Sequence, residues 1–513
     1  MLGPAKPRHL DEPIAVSLEA LVPADHFYRH LEATLDLGFV RDWVQDRYAE
    51  RGRPSIDPVV FCKLHLIMFF EGIRSERKLI ETASLHLAHR WYLGYALDEA
   101  LPEHSSLTRI RQRLGVAFFQ RFFEAIVDRC QAAGLVWGQE LYFDATKVEA
   151  NANVASLVPR FAYAARTHLA TLFADEPGAD PPSDSPEDAP PAAGPAAEPR
   201  PPGIVALPGA DTVPAAERPW PLLEARRLDP QRPAHHSRRR TRDYRVSPTD
   251  PDATPLWDWG AIRLGYHDHY VVDGGKARII LAALVTPADV MENQAMLDLL
   301  WRVCFRRQLW PHHVTGDAKY GTTENIVAVE DAGIRAYVPL PAAPRTAWFG
   351  RADFTFEPVA DQYRCPAGQP LPRRGVKPSA EVIIYRADPA LCNGCSRKAE
   401  CTTSDHGRMV HRSRFAGYLE RVQGYHATEA YQKALRKRQV WVEPLFAEAQ
   451  QWHGLDRLRL RGLRNANIQG LLVAAGQNLK RLLVATGWGR RHAPCGSLVA
   501  LPGPSARLAV GSG

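Results

Sequence analysis

Eight cysteines and five methionines in 513 residues, with no long apolar run, remove several classes of protein at the outset. So thin a cysteine content without a secretory leader argues against a disulfide framework and leaves free thiols or metal ligands. The chain starts Met1-Leu2-Gly3-Pro4 and soon reaches Arg8, Asp11 and Glu12, so it lacks the apolar core of an export signal. The most apolar early stretch, 59–70, is broken by Lys63 and His65 and falls short of the roughly 20 residues that span a bilayer. A cytoplasmic protein with no membrane partner is expected. No loop of the form GxxxxGKS or GxxxxGKT occurs, which argues against an ATP-driven activity within the chain.

Proline and positive charge are abundant. The 42 prolines gather in clusters, and 64 Lys and Arg stand against 57 Asp and Glu, a net +7 with a pI near 9.0. The clusters mark linkers, and the charge favours a polyanionic partner. At about 150 residues per domain the length allows roughly three units, counting any unfolded stretch separately.

From about Ala15 to Gly134 apolar residues recur three and four apart, as in Phe39, Trp43, Val59, Leu64 and Phe69, which predicts a bundle of short helices. Ser106-Leu107-Thr108-Arg109 opens a segment in which Arg109, Arg111 and Arg113 stand where a helix N-terminus and basic side chains would meet phosphate; a plain solvated helix is the equal alternative. Leu135 to Phe143 reads as a buried strand ending at Asp144, with a helix to about Ala174 beyond. Residues 175–217 are dominated by Pro, Ala, Asp and Glu and carry too little apolar surface to fold. The arginine run over 226–245 is either an arm lying on DNA or a flexible charged linker. Strands are predicted over 261–272 and 277–285, joined by the hairpin signal Asp273-Gly274-Gly275-Lys276. Next come a helix over 293–305, a strand over 311–316 ending at Asp317 and a helix over 323–332. Residues 345–408 read as irregular and cysteine-bearing, 429–452 and 463–483 as long helices, and 488–513 as a flexible tail.

Asp144, Asp317 and Glu443 are the residue types that phosphodiester cleavage requires. Two divalent cations about 3.5–4 Å apart activate an attacking oxygen and stabilise a leaving one. Hard Mg2+ or Mn2+ is held by a few carboxylates plus substrate oxygens and water, so acids distant in sequence suffice if the fold gathers them. Taken singly, each acid reads more readily as something plainer, Asp144 and Asp317 as turn or helix-capping residues and Glu443 as an exposed helical glutamate.

The surroundings of these acids go further. Tyr142-Phe143-Asp144-Ala145-Thr146-Lys147-Val148-Glu149-Ala150-Asn151-Ala152 closely resembles the first catalytic motif of DDE-class insertion-sequence transposases. Val314-Thr315-Gly316-Asp317-Ala318-Lys319-Tyr320-Gly321 resembles the second, and Arg438-Gln439-Val440-Trp441-Val442-Glu443-Pro444-Leu445-Phe446 the third, a glutamate-bearing helix. Arg53-Pro54-Ser55-Ile56-Asp57-Pro58 and Gly72-Ile73-Arg74-Ser75-Glu76-Arg77 are similar to the helical domain that precedes such cores, so the resemblance covers most of the chain.

The resemblance implies an α/β, RNase H-like mixed sheet with flanking helices over 135–487, behind an all-α DNA-binding domain over 1–134. Two segments interrupt the sheet: a disordered and basic insertion over 175–256 and a cysteine-rich one over 345–408. It further implies that Asp144, Asp317 and Glu443 are catalytic and bind Mg2+ or Mn2+, and that the protein works as a homodimer or higher oligomer on transposon-end and target DNA. DNA contacts are expected from Arg109, Arg111, Arg113, Lys147, Lys319, Tyr320, Arg436, Lys437 and Arg438. The family's glutamate helix often carries tyrosine, arginine and lysine where this chain has Arg436, Gln439 and Gln450; Arg436, Lys437 and Arg438 still supply positive charge. Those two glutamines keep open a DNA-binding protein with a decayed catalytic core, and a nuclease without joining activity is not separable by sequence.

Two other constellations carry chemistry. Cys365, Cys392, Cys395 and Cys401, one CxxC flanked by two further cysteines with glycine or proline in the turns, are a ligand set for tetrahedral structural Zn2+, against free thiols. His267-Asp268-His269 sets two imidazoles on one side of a strand beside Tyr266 and Tyr270, the pattern of a tyrosine-nucleophile nuclease. Asp268 replaces the usual apolar residue between the histidines, so a polar strand face near the active cleft is preferred.

Overall fold

The computed structural model describes residues 15–48, 55–173, 245–258, 260–340, 348–377 and 381–489. The expectations for 175–217, for nearly all of the arginine run and for the tail beyond 489 lie outside the described residues.

Seven helices come first: α1 (Leu18–Leu21), α2 (Phe27–Thr34), α3 (Phe39–Val44), α4 (Pro58–Phe70), α5 (Glu76–Leu85), α6 (Leu87–Leu93) and α7 (His104–Ala132). Local chemistry sets their starts. The Asp57 and Ser75 side chains accept the N–H groups of Val59 and Lys78, and Pro58 takes the first turn of α4, where its missing N–H costs nothing. α4 is apolar almost all round because it lies in the core, with Phe61, Leu64 and Ile67 fully buried. Among the described residues no helix is long and apolar enough to cross a membrane. α7 begins at His104 rather than at Ser106 and breaks at Gly115, whose φ of +66° is a left-handed conformation that a side chain would strain.

The first strand, β1 (Glu140–Glu149), corrects the expected 135–143: Asp144 lies in its middle, not at its end. Residues 135–139 are instead a connection. It is tied down by the buried Asp273 carboxylate, which accepts the N–H groups of Trp137 (3.0 Å), Gly138 (2.7 Å) and Gly275 (2.8 Å). After β2 (Val158–Pro159) and α8 (Arg160–Phe173), the chain continues with β3 (Arg245–Val246), β4 (Thr254–Asp258), β5 (Ala261–Asp273) and β6 (Ile280–Pro287). Residues 245–258, expected within the insertion, are thus part of the fold: β3 pairs with β2, and β4 with the start of β5. Then come α9 (Met296–Arg307), β7 (His313–Thr315), α10 (Thr323–Asp331) and β8 (Arg335–Tyr337). β4 and β6 share one edge of β5; beyond it lie β1, β7 and β8, antiparallel from β6 through β1 and parallel from β1 through β8.

The stretch expected to be irregular is a second, five-stranded antiparallel sheet. It comprises β9 (Thr355–Glu357), β10 (Gln362–Arg364), β11 (Pro370–Lys377), β12 (Val382–Arg386) and β13 (Met409–Ser413), with the short helices α11 (Pro389–Asn393) and α12 (Lys398–Cys401) between the last two strands. Its own small core holds Phe354, Tyr363, Leu371 and Tyr385. Three helices close the chain: α13 (Ala416–Tyr425), α14 (Glu429–His453) and α15 (Leu463–Ala485). One apolar core runs from Val22 through α4, α7, β1 and β6 to Leu483 on α15.

The outer edge of β6 would leave buried backbone groups unpaired, and α15 completes it with two asparagines. Asn467 accepts the Val285 N–H (2.9 Å) and donates to the Val285 carbonyl (2.8 Å); Asn478 does the same for Ile280 (2.8 Å each). The spacing matches: eleven residues of helix cover about 16.5 Å in three turns, and five residues of strand cover about the same length. Five is an odd step that would point the two amides to opposite edges. The pairing skips Leu281, since Val271 faces Ala282 and Val272 faces Ile280, and this one-residue bulge restores the parity. Gly470, between the asparagines, permits the approach, because a Cβ there would lie 2.9 Å from the Val285 side chain. Replacing Asn478 with alanine strands one buried donor and one acceptor, so urea denaturation should show a loss of about 2–4 kcal/mol. A loss under about 0.5 kcal/mol, the scatter of an ordinary surface change, would contradict this reading of the edge.

Candidate active site

Asp144 and Asp317 meet because of strand register. β1 and β7 are parallel with Tyr142 level with Thr315, and two residues further along each chain come Asp144 and Asp317 on the same face. The two strands lie one spacing apart, about 4.8 Å, where they pair, and Asp317 is near enough to act on the Asp144 carboxyl. Asp317 leaves β7 in extended conformation and accepts the Lys319 N–H (2.9 Å), so its carboxylate caps the short turn that follows. Asp144 is nearly buried. Its carboxylate accepts from Arg438 Nη1 (2.6 Å) on α14 and from the Ala145 N–H (3.0 Å). Burial pushes the Asp144 carboxyl up to about 6, against the opposing pull of Arg438, with Asp317 and Glu292 adding to the rise.

Glu292 is the residue that sequence reasoning missed. It is buried, receives Lys319 Nζ (2.5 Å), and acts electrostatically on Asp144, Tyr320 and His267. Asp144, Asp317 and Glu292 therefore gather at one end of the sheet. Glu443 is exposed on α14, without a partner among the described residues, and is not among the main charges acting on Asp144. Pro444 follows it inside the helix and lacks the N–H that would bond the Val440 carbonyl, which instead accepts from Arg278 (3.4 Å). Gln450, in the place of the family's lysine, donates to Thr146 Oγ1 (2.9 Å) and so ties α14 to the face of β1 that carries Asp144.

The expected DNA contacts divide by exposure. Arg109, Arg113, Lys147, Lys319 and Arg436 are exposed, and the Arg113 guanidinium sits over the Tyr48 ring. Lys147 bonds the Trp257 carbonyl, Lys437 bonds Glu140 (2.5 Å), and Arg438 holds Asp144. Two of the expected contacts are buried. Arg111 is buried and bonded to Glu76 (2.9 Å), which also receives Arg459 (2.7 Å), so it ties α7 to α5. Tyr320 is 2% exposed and packs beside Asp144, Glu292 and Asp317.

The histidine pair has the expected side-by-side placement on β5 but not the chemistry of a nuclease. His267 Nδ1 lies 3.1 Å from the Val290 carbonyl and His269 Nε2 lies 2.8 Å from Thr286 Oγ1. Burial lowers both, His269 to about 3, so the imidazoles are neutral. Tyr266 is spent on Asp250 (2.5 Å), and Tyr270 is stacked on Phe446 in the core. Neither tyrosine can act as a nucleophile.

Cys365, Cys392, Cys395 and Cys401 line one cavity of about 30 Å3 beneath Phe349 and Arg408. Backbone N–H groups point at two of the sulfurs, Gln369 at Cys365 Sγ and Arg408 at Cys392 Sγ, each at 3.3 Å. Burial raises the Cys401 thiol, Arg408 opposes the rise, and the other three cysteines add to it, which shows how near they lie. Among the described residues no three His, Cys, Asp or Glu side chains are already grouped as a metal-holding set, here or around Asp144.

Two family models match the chain: a transposase domain (DUF772) over residues 16–113, which is α1 to the first third of α7, and a transposase DDE domain over residues 364–483, from the second sheet to α15. Together these matches support a DDE-class insertion-sequence transposase. The second includes Glu443 and the four cysteines, whereas Asp144 and Asp317 lie between the two matched stretches. No curated protein and no solved structure matches the chain.

Proposed function

We propose that this protein is an active transposase of a bacterial-type insertion sequence. In this reading it binds transposon-end DNA, hydrolyses a phosphodiester bond and transfers the 3′-hydroxyl end to target DNA in the cytoplasm. The observation that carries the reading is the parallel register of β1 and β7, whose last pair, Tyr142 and Thr315, stands two residues before Asp144 and Asp317, close enough for Asp317 to act on the Asp144 carboxyl. That sheet, with its antiparallel β6, β5 and β1 and parallel β1, β7 and β8, supports an RNase H-like core over 135–487 behind a helical DNA-binding domain over 1–134.

The donor set fits a hard divalent cation, because Asp144 and Asp317 offer only oxygen and burial makes a lone Asp144 carboxylate costly without a positive partner. Asp144, Asp317 and Glu443 would hold Mg2+ or Mn2+. Such ions supply activation of the attacking oxygen and charge neutralisation at the leaving one. Arg438 opposes the rise that burial imposes on the Asp144 carboxyl. Glu292 fixes Lys319 beside Asp317, where its ammonium can meet a phosphate. Exposed Arg109, Arg113 and Arg436 extend the positive surface along the DNA, and a homodimer or larger assembly brings two transposon ends together. Glu443 standing apart from the aspartates favours a second reading, a DNA-binding protein that has lost catalysis.

With labelled DNA flanking the gene and Mg2+ present, the wild type should nick and join. Asp144→Asn and Glu443→Gln should bind that DNA unchanged while losing cleavage by at least about 100-fold, the scale for a transition-state contact. Full activity in either variant would sink the acid assignment; wild-type binding without any cleavage would favour the decayed reading, and cutting without joined product a plain nuclease.

The same proposal includes structural Zn2+ on Cys365, Cys392, Cys395 and Cys401, supported by their shared cavity and the N–H groups aimed at sulfur. Elemental analysis of the purified chain should find about one zinc per chain and markedly less in Cys395→Ser. A zinc-free wild type would identify the four as free thiols.

A further inference from the structure

Beside the acids lies a groove of about 890 Å3 that the carboxylate chemistry does not use. The 134–137 connection, the Gly274–Ala277 turn of the β5–β6 hairpin and the first half of α14 form its walls. Its chemistry is of two kinds. Trp137, 51% exposed, and Trp441, whose Nε1 is fixed on the Gly275 carbonyl (2.9 Å), flank Lys437, with its Nζ 5.2 and 5.1 Å from the two ring centroids. Lys276, Lys433 and Arg436 stand exposed along it without an ion pair among the described residues. Glu140, beneath Lys437, is already bonded to Lys437 and to Tyr142 (2.9 Å), so it does not cancel the charge at the mouth.

Free cations call for a polyanion, and an exposed indole beside a half-buried one calls for flat π-faces. A paired duplex hides its base faces in the stack, whereas unpaired nucleotides offer phosphate and face together. Clefts on the order of 300–1,000 Å3 take small organic ligands, so the space suits a nucleotide or a few. Position adds to this. Lys437 and Arg438 are consecutive on α14, one in the groove and the other on Asp144, so the groove lies within one helical step of that acid.

We propose that this groove binds unpaired nucleotides of the DNA strand next to the cleavage point, stacking a base on Trp137 and Trp441 and pairing its phosphates with Lys276, Lys433 and Arg436. The inference rests on the DNA-cleaving reading of the acids, but its test needs no cleavage. The full chain, without divalent metal, is titrated into a fluorescein-labelled blunt duplex and into the same duplex with a short single-stranded oligo(dT) extension. The wild type should prefer the extended duplex by roughly five- to 150-fold per stacked base. Trp137→Ala should remove most of that preference and leave blunt-duplex affinity unchanged, and Trp137→Phe, which keeps a ring, should restore part of it. Equal affinities in the wild type, or an undiminished preference in Trp137→Ala, would overturn the inference and leave the function of the acids standing. Binding to neither duplex would overturn both.

Discussion

An edge strand with buried, unpaired amides is the constraint that organises this molecule. β6 is the outer strand over the antiparallel half of the main sheet, and a free edge of that kind is either covered or left to pair with another chain. α15 covers it by offering two carboxamides where a seventh strand would stand, and the register works only through the bulge at Leu281. Everything inward depends on that seam. β6 holds β5, β5 holds β1 over nine residue pairs, and β1 carries Asp144. From the same helix Gln477 reaches the Leu445 carbonyl (2.8 Å) on α14, so the helix that seals the sheet also positions the one that bears Arg438 and Glu443. The family match that runs to residue 483 takes in nearly all of α15, although the helix supplies no catalytic group to the account.

The site shows a second balance, between burial and charge. A carboxylate placed mid-strand inside a sheet loses its water, and Asp144 responds with a raised pKa that the Arg438 guanidinium partly opposes. A carboxylate held in this way stays closer to its ionised form than burial alone would leave it, because Arg438 supplies a positive partner. Glu292 and Lys319 form a similar pair one step away, beside Asp317. Acids and bases therefore alternate along the end of the sheet, and the groove lined by Trp137 and Trp441 continues the basic side.

Much of this was legible in the sequence wherever the signal was periodic or local. The Asp273-Gly274-Gly275-Lys276 hairpin, the strand leading to Asp317 and the last two long helices all appear near their expected positions. β1 was placed too early because Leu135, Val136 and Trp137 are apolar for another reason: they line the groove against the hairpin turn. The second sheet was illegible because its strands are short and β11 reads Pro-Leu-Pro-Arg-Arg-Gly-Val-Lys, with no alternation to mark a buried face. Glu292 left no trace in the sequence because it sits between elements, and its importance comes from Lys319, a partner that only the fold brings near. Arg111 looked like a phosphate contact, but its partner Glu76 lies on another helix.

The most direct test of the central claim, that the sheet presents Asp144 and Asp317 as one cation site, is thermal unfolding with and without Mn2+ in the absence of DNA. A ligand that binds only the folded chain raises its melting temperature in proportion to occupancy. The account predicts a concentration-dependent rise for the wild type that Asp317→Asn abolishes. An equal rise in the variant, or none in the wild type at millimolar Mn2+, would contradict it.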